Sequence, residues 1–422
     1  MITILRLAMH ILLLRQHFAP PSAAGSGRPY EMATRWIKAG HRVTLITSTA
    51  KFPAETELNQ KVNHFDIDGI QVVAVDVKYH NSYGFLRRIW SFMSFAKQCV
   101  NAAKQVKDVD VVLGSSTPLT VALPAVKIAK RFGCPMVFEV RDLWPEMPIA
   151  VGALRSPLLK YVARKLEQYA YRNSDRIIAL SPGMASGIVA LGYPERRITV
   201  VPNSSDVERF RHESVSAAHF LQRFPMLEGR PFVLYAGTLG KLNGVEYLAE
   251  IAHEMKSINP KVAFVVLGDG ARSEIVRRVA RRCEVLDDNF FMLGSLPKQD
   301  IPDAFAAATI CCSLFVNIPE MNKNSANKFF DALAAAKPIM INYQGWQARL
   351  IEGNDIGIHV PAKDPIESAR RISRLLDEPA RLVQLSQGAG KMGVERFSVD
   401  ELSARALDVL EMSIKVQREK TA

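Results

Sequence analysis

Two doubly wound α/β domains, each a parallel sheet layered with helices, are what this sequence predicts. Three observations lead there. The chain has 422 residues, too many for one compact core and enough for two. Short β-rich runs alternate with segments of helical period, the pattern of βαβ units. That alternation halts near 202–224 and then begins again.

In the first half the apolar run 10–16 reads as a strand, and 30–39 as an amphipathic helix closed by Gly40. A strand at 43–47 leads into a loop rich in Pro, Lys and Glu. Further strands fall at 72–75, 109–113, 136–140 and 176–180, with a helix over 119–132. In the second half the strands are 232–235, 262–267, 290–293, 310–314, 339–341 and 357–360. Helices over 245–255, 273–282, 328–336 and 365–376 come between them. A last long helix, 399–416, follows a sheet that is already complete and is expected to cross back onto the first domain. The expected domains are therefore 1–204, with 399–422 packed back on it, and 205–398. A cleft facing the carboxyl ends of both sheets is where open α/β folds bind ligands. Met9 opens a more ordinary start, and the eight residues before it are given no function.

Composition narrows the class. The apolar fraction is 48% and the charged fraction 23%, close to the globular average. That excludes a disordered, collagenous or disulfide-scaffold protein. No run approaches the roughly 20 apolar residues that span a bilayer. The apolar run at 11–14 continues into Arg15, Gln16 and His17 rather than a small-residue cleavage site, so a cytoplasmic chain is expected. Cys99, Cys134, Cys283, Cys311 and Cys312 are odd in number and show no CxxC spacing, which favours buried reduced thiols over zinc or disulfides. Residues 1–200 hold 26 basic and 14 acidic side chains, whereas 201–422 hold 28 of each. The whole excess of +12 sits in the first half. A one-sided basic domain points to an anionic surface or ligand.

Several segments could carry chemistry. The loop after the first strand places Gly25 and Gly27 ahead of a helix, where backbone N–H groups can approach an anion. It lacks GxGxxG spacing, and a plain strand-to-helix turn serves equally well. Residues 137–146 end a buried strand with Glu139, Arg141, Asp142 and Glu146, while Trp144 and Pro145 would shape a pocket. Charge at the carboxyl end of a central strand suits a cleft better than a core. Gly237, Thr238, Gly240, Lys241 and Gly244 follow the first strand of the second half, a set suited to a diphosphate. Gly268, Asp269 and Gly270 form a commoner turn. The segment from Asn324 to Pro338 is the most telling. Asn324 or Ser325 can cap a helix, leaving free N–H groups, Asn327 and Lys328 toward an anion. Lys328 and Asp331, three apart, share a face that would suit a cation for phosphate and a carboxylate for ribose, a reading the small-residue run beside it favours over a surface ion pair.

Together these segments resemble a GT-B glycosyltransferase of the large retaining family 4, in the subgroup that builds bacterial surface polysaccharides. The likeness rests on the glycine loop, the run Glu139-Val140-Arg141-Asp142-Leu143-Trp144-Pro145-Glu146, Val201-Pro202-Asn203, the stretch from Gly237 to Gly244, Gly268-Asp269-Gly270 and Asn327-Lys328-Phe329-Phe330-Asp331 with Lys337-Pro338. It implies a nucleotide diphosphosugar held mainly by the second domain, an acceptor on the first, no obligatory metal or other cofactor, and front-face departure of the nucleotide diphosphate. Cations and helix N–H groups would stabilise that leaving group. Carried over, Gly25 and Gly27 face the donor diphosphate across the cleft, Lys241 and Lys328 neutralise it, and Asp331 holds the ribose. Gly237, Thr238, Gly268, Asp269, Asn324, Ser325 and Asn327 complete the donor site. Arg141 and Asp142 join Lys241 and Lys328 as catalytic candidates, and Trp144 and Glu146 face the acceptor. The sequence departs from the family in three places. The first Glu of its Glu-x7-Glu pattern falls at Lys323, with Glu320 nearby. The usual Arg and Lys of the second glycine loop fall at Thr238 and Asn243. A frequent histidine is Arg141.

Residues 85–97 mix aromatics with cations. Leu86, Ile89, Trp90 and Met93 form one helical stripe, which Phe85, Phe92 and Phe95 are expected to widen. Arg87, Arg88 and Lys97 could meet lipid phosphates, the pattern of an interfacial helix. A helix packed on the sheet with solvated arginines fits equally. The resemblance favours the membrane, because acceptors in this subgroup are commonly polyprenyl-diphosphate-linked saccharides at its cytoplasmic face. Two Asp-x-Asp strings, Asp66/Asp68 and Asp108/Asp110, read as solvated turn residues. The expected function is sugar transfer from a UDP-N-acetylamino sugar to a lipid-linked saccharide in O-antigen, capsule or exopolysaccharide synthesis. A UDP-N-acetylglucosamine 2-epimerase of the same fold is the alternative, disfavoured by segments poor in histidine. A nucleic-acid-binding protein is a third reading. It meets no recognisable helix-turn-helix, RRM or KH pattern, and the basic helix bearing Arg277, Arg278, Arg281 and Arg282 lies in the neutral half.

Overall fold

A computed structural model describes residues 8–21, 27–53, 55, 56, 58, 60–80, 83–204 and 206–421. The chain divides into two compact units, Met1–Pro202 with Asp400–Ala422, and Asn203–Val399.

The first unit is built on eight strands, β1 His10–Leu14, β2 Arg42–Ser48, β3 Val62–Ile67, β4 Ile70–Val75, β5 Val111–Ser115, β6 Met136–Val140, β7 Arg176–Ala179 and β8 Ile198–Val200. Their order across the sheet is β3-β4-β2-β1-β5-β6-β7-β8. All neighbours pair in parallel except β3 and β4. Strands β1, β5 and β6 are buried along their whole length, which is why they read as unbroken apolar runs rather than alternating ones. Helices α1 Arg28–Lys38, α2 Phe85–Ala102, α3 Ala122–Phe132, α4 Glu146–Ala150, α5 Pro157–Arg172 and α6 Pro182–Ala190 accompany the sheet.

The second unit has six parallel strands, β9 Phe232–Ala236, β10 Ala263–Leu267, β11 Phe290–Gly294, β12 Ile310–Ser313, β13 Ile339–Ile341 and β14 Gly357–His359. They are ordered β11-β10-β9-β12-β13-β14. Helices α7 Val207–Arg211, α8 Ala217–Arg223, α9 Glu246–Ile258, α10 Ser273–Arg282, α11 Ile301–Ala307, α12 Asn327–Ala334, α13 Trp346–Asn354, α14 Pro365–Leu376 and α15 Pro379–Glu395 complete it. The last helix, α16 Val399–Thr421, returns to the first unit. There Asp400 pairs with Arg35 at 2.9 Å, and the Ser403 carbonyl accepts the Trp36 indole N–H at 2.9 Å.

Two doubly wound sheets and a returning helix agree with the sequence reading. The hairpin strand β3 was not foreseen. Its tight turn uses Asp68 and Gly69, both at positive φ, the chemistry of a two-residue hairpin. Asp68 is a turn residue as expected, whereas Asp66 belongs to strand β3 and accepts the Gly69 N–H at 2.9 Å. Asp110 is more than solvated, because its Oδ2 accepts the His10 N–H at 2.7 Å and anchors the start of β1.

Candidate functional site

Among its parallel strands each sheet reverses its order once, and the carboxyl ends of strands at such a reversal open a crevice suited to ligands. In the first sheet the reversal lies between β1 and β5, and in the second between β9 and β12.

At the first reversal the chain gathers charge. Arg15 follows β1, Arg28 opens α1, and Glu139 sits inside β6. Arg28 Nε donates to Glu139 Oε1 at 2.7 Å, both groups being buried. Its Nη2 donates to the Val201 carbonyl at 3.0 Å, and Nη1 donates to that of Pro202. The Ser115 hydroxyl donates to Glu139 Oε2 at 2.6 Å, and Arg15 Nη1 donates to the Ser115 Oγ at 3.0 Å. Burial works against the Glu139 charge, but Arg28, Arg141 and Ser115 outweigh it and hold its pKa at about 2. Burial, with Arg141 second, lowers Arg15 to about 9. The Asp142 carboxylate accepts the Thr117 hydroxyl at 2.8 Å, yet burial raises its pKa above the ordinary value. The Arg141 N–H donates to Ser116 Oγ at 3.0 Å, while its side-chain Nη1 is buried without a hydrogen-bond partner. Trp144 packs against the first core, and Glu146 opens α4. Arg141, Asp142, Trp144 and Glu146 thus follow one strand end together. Gly27 is the N-cap of α1, and Gly25 lies outside the described residues. Arg15 and Arg28 received no role from the sequence. The available signal was a cation at the end of the first apolar strand and another directly after Gly27.

At the second reversal two glycine turns lock together. Gly237 donates to the Leu267 carbonyl at 2.8 Å, and Leu239 to that of Asp269 at 3.0 Å. Gly237 and Gly268 have φ of 151° and 129°. A Cβ on Gly268 would collide with the Gly237 carbonyl oxygen, and one on Gly237 would lie 2.5 Å from Lys328 Cε and 3.1 Å from its Nζ. Lys328 therefore reaches over the bare backbone of Gly237, with Nζ 5.0 Å from the centre of the Tyr235 ring. Burial lowers its pKa to about 8, against the opposing pull of Asp331. The structure brings Gly237 and Gly268, at the ends of β9 and β10, together with Lys328, and Asp331 acts on that lysine's charge from the same helix.

The neighbours are arranged differently from expectation. Neither Asn324 nor Ser325 caps α12, since Ala326 is the N-cap and offers no side-chain bond. Buried Ser325 instead accepts the Asn203 N–H at 3.1 Å, and its carbonyl accepts the Asn203 amide at 2.7 Å. Asn324 turns its oxygen to the Ser325 N–H at 2.5 Å. Asn327 is exposed at the first turn of α12. Thr238 and Lys241 are exposed on the loop, and the Thr238 carbonyl accepts the Tyr235 hydroxyl at 2.8 Å. Asp269 is engaged with its own turn, taking the Gly270 N–H at 2.7 Å and the Ser273 hydroxyl. Those two bonds lower its pKa. Among the described residues no three His, Cys, Asp or Glu side chains cluster as metal ligands.

Helix α2 exposes Leu86, Ile89, Trp90 and Met93, with Trp90 69% exposed. Phe95 does not widen this stripe, being wholly buried on the face that meets the core. Arg87 lies 3.9 Å above the Tyr83 ring, and Arg88 donates to the Tyr83 carbonyl at 2.9 Å. No described helix is long and apolar enough to cross a membrane.

Known proteins match this arrangement. Residues 27–204 match the glycosyl transferase 4-like domain, and 230–378 match glycosyl transferases group 1. The chain is similar to a probable glycosyltransferase, WbjE, of Pseudomonas aeruginosa. They are 25% identical over 273 residues, covering 64% of this chain and 66% of that one. About a third of that relative lies outside the match. A putative colanic acid biosynthesis glycosyl transferase, WcaI, of Escherichia coli K12 is 21% identical over 299 residues, which is 68% of this chain and 72% of that one. Among solved structures, Anabaena HepE in complex with UDP and glucose superposes with a TM-score of 0.72 at 16% identity, covering 96% of this chain and 100% of that one. That likeness is one of fold, the GT-B arrangement.

Proposed function

Because the chain belongs to the glycosyltransferases, a 4-like domain followed by a group 1 domain, we propose that it moves a sugar from a nucleotide diphosphosugar to a polyprenyl-diphosphate-linked saccharide. The observation that carries this reading is Lys328, a half-buried cation held over the bare backbone of Gly237 at the strand reversal, its charge opposed by burial. A cation in that setting attracts a diphosphate far more strongly than one in water.

In this proposal the second unit takes the donor. Gly237, Thr238, Gly268 and Asp269 offer backbone to the nucleotide diphosphate, Lys328 and Lys241 neutralise it, and Asn327 and Asp331 meet the ribose side. Ser325 holds that segment in place through Asn203, and Asn324 supports it by accepting the Ser325 N–H. The first unit takes the acceptor beside Trp144 and Glu146, with Arg141 and Asp142 at the reacting end. Anomeric configuration is retained because the leaving diphosphate departs from the face that the acceptor hydroxyl attacks. The charge that develops on the diphosphate is the quantity the cations stabilise, and no step calls on a metal. A UDP-N-acetylamino sugar is the proposed donor, and the likeness to a putative colanic acid biosynthesis glycosyl transferase favours surface-polysaccharide synthesis. The stripe on α2, with Arg87, Arg88 and Trp90, would hold the enzyme on the inner face of the cell membrane.

The test is transfer from UDP-sugars to a polyprenyl-diphosphate acceptor, run in EDTA. The parent is expected to turn over, and Lys328→Ala to lose at least about a hundredfold in rate with no fall in melting temperature. Full activity in that variant would overturn the donor assignment. Activity lost in EDTA and restored by Mn²⁺ would overturn the metal-free mechanism.

A further inference from the structure

Helix α5 leaves Leu158, Tyr161 and Val162 exposed at 69%, 59% and 53%. Their spacing of i, i+3 and i+4 places them on one stripe. Lys160, Arg164, Lys165 and Arg172 are the cations of this helix, and Glu167 is its sole acid. Glu167 is buried, with Oε1 accepting the Tyr171 hydroxyl at 3.0 Å. Burial and the nearby Glu146 carboxylate raise its pKa to about 8. The outward face of α5 therefore presents apolar side chains and cations with no ionised carboxylate. Lys165 Nζ lies 5.4 Å from the centre of the Tyr161 ring, so cation and apolar body are interleaved.

Helix α2 has the same chemistry. It carries Arg87, Arg88 and Lys97, no acid, and the exposed stripe from Leu86 to Met93. Helix α3 packs against both α2 and α5, so the two stripes belong to one helical layer of the first unit. Half of the large apolar side chains exposed among the described residues lie on these two helices. Scattered exposed apolar residues need no explanation, but a concentration of them beside cations marks an interaction surface.

We propose that α5 is a second docking element for an anionic phospholipid surface, which it contacts together with α2. The proposal rests on the peripheral-membrane reading of α2. Charge selects the occupant. Cations flanking an apolar stripe suit lipid phosphates above acyl chains, whereas a second copy of this basic unit would bring like charges together. One helix lying on a bilayer leaves the unit free to roll about it. Two helices remove that freedom and fix how the strand ends face the membrane.

The full chain is sedimented with vesicles of phosphatidylcholine alone and of phosphatidylcholine with phosphatidylglycerol. Three sets of substitutions are compared. The first is Leu158→Ser, Tyr161→Ser and Val162→Ser; the second is Lys160→Gln, Arg164→Gln and Lys165→Gln; the third is Arg87→Gln, Arg88→Gln and Trp90→Ser. The parent should bind the anionic vesicles, and each α5 set should reduce partitioning about tenfold while leaving the UDP-induced melting shift unchanged. Exposed charge substitutions keep the fold, so the second set decides the matter if the first fails to fold. Loss of binding in the α2 set alone would overturn the role of α5 and leave that of α2 standing. A parent that ignores anionic vesicles would overturn both. A parent dimer that the first set converts to monomer would make the stripe a self-interface and overturn the lipid proposal.

Discussion

Glu139 keeps its charge inside the first sheet because Arg28 and Ser115 reach both of its oxygens. Forming such a pair away from water brings little net stability, but removing one partner strands the other. Arg28→Met should therefore destabilise the first unit by about 3–5 kcal/mol, measured by urea unfolding. Adding Glu139→Gln should recover part of that loss, and equal stability of the single and double variants would show that the pair is not coupled. Lys328 carries the opposite kind of consequence. Its pKa of about 8 lies below the ordinary lysine value, so its charge opposes folding below pH 8, and that cost fades as pH rises from about 8 toward the ordinary value. Binding needs the charge that folding disfavours. UDP affinity measured by calorimetry should thus fall as pH rises through about 8, and a flat profile to pH 9.5 would count against Lys328 as the diphosphate cation. The candidacy of Lys328 was legible because a cation followed a polar cap-like segment. That of Arg28 was not, because its partner Glu139 is 111 positions away.

Among elements, the buried parallel strands were the most legible. Met136–Val140 and Ile339–Ile341 match their predicted limits, since apolar side chains on both faces leave no helical period to confuse them. The edge strand β3 escaped because polar side chains interrupt it and its positions run from buried Asn63 to exposed His64 and Asp66 with no continuous apolar run. Helix α12 was found, but its cap was misassigned. Ser325 fits a capping rule by type, and the distant Asn203 claims it instead. The two glycine turns are elements in which sequence and packing agree. Gly268→Ala would combine a left-handed backbone with a collision against Gly237, so a loss of about 1–3 kcal/mol is expected. Gly237→Ala meets mainly the flexible end of Lys328. It should lower UDP affinity more than the Gly268 change does for the same loss of stability. Thermal melting and calorimetry on the two variants separate these effects.

For the whole molecule, the division of charge was visible from composition alone, with the excess of +12 confined to residues 1–200. What composition could not reveal is where that charge becomes a surface. Exposure of Leu158 beside Lys160 depends on which face α3 covers, a matter of packing rather than of local pattern. Helix α16 was legible as a surplus element after a finished sheet, yet its contact with Trp36 is set by residues 367 apart. That contact has a further meaning for how the protein comes into being. The first unit is written in two pieces, Met1–Pro202 and Asp400–Ala422, around an uninterrupted Asn203–Val399. On the ribosome, the unit whose synthesis starts first is therefore the one completed last. Its Trp36 waits for Ser403 through the making of the entire second unit, which has every residue it needs before 400–422 emerge.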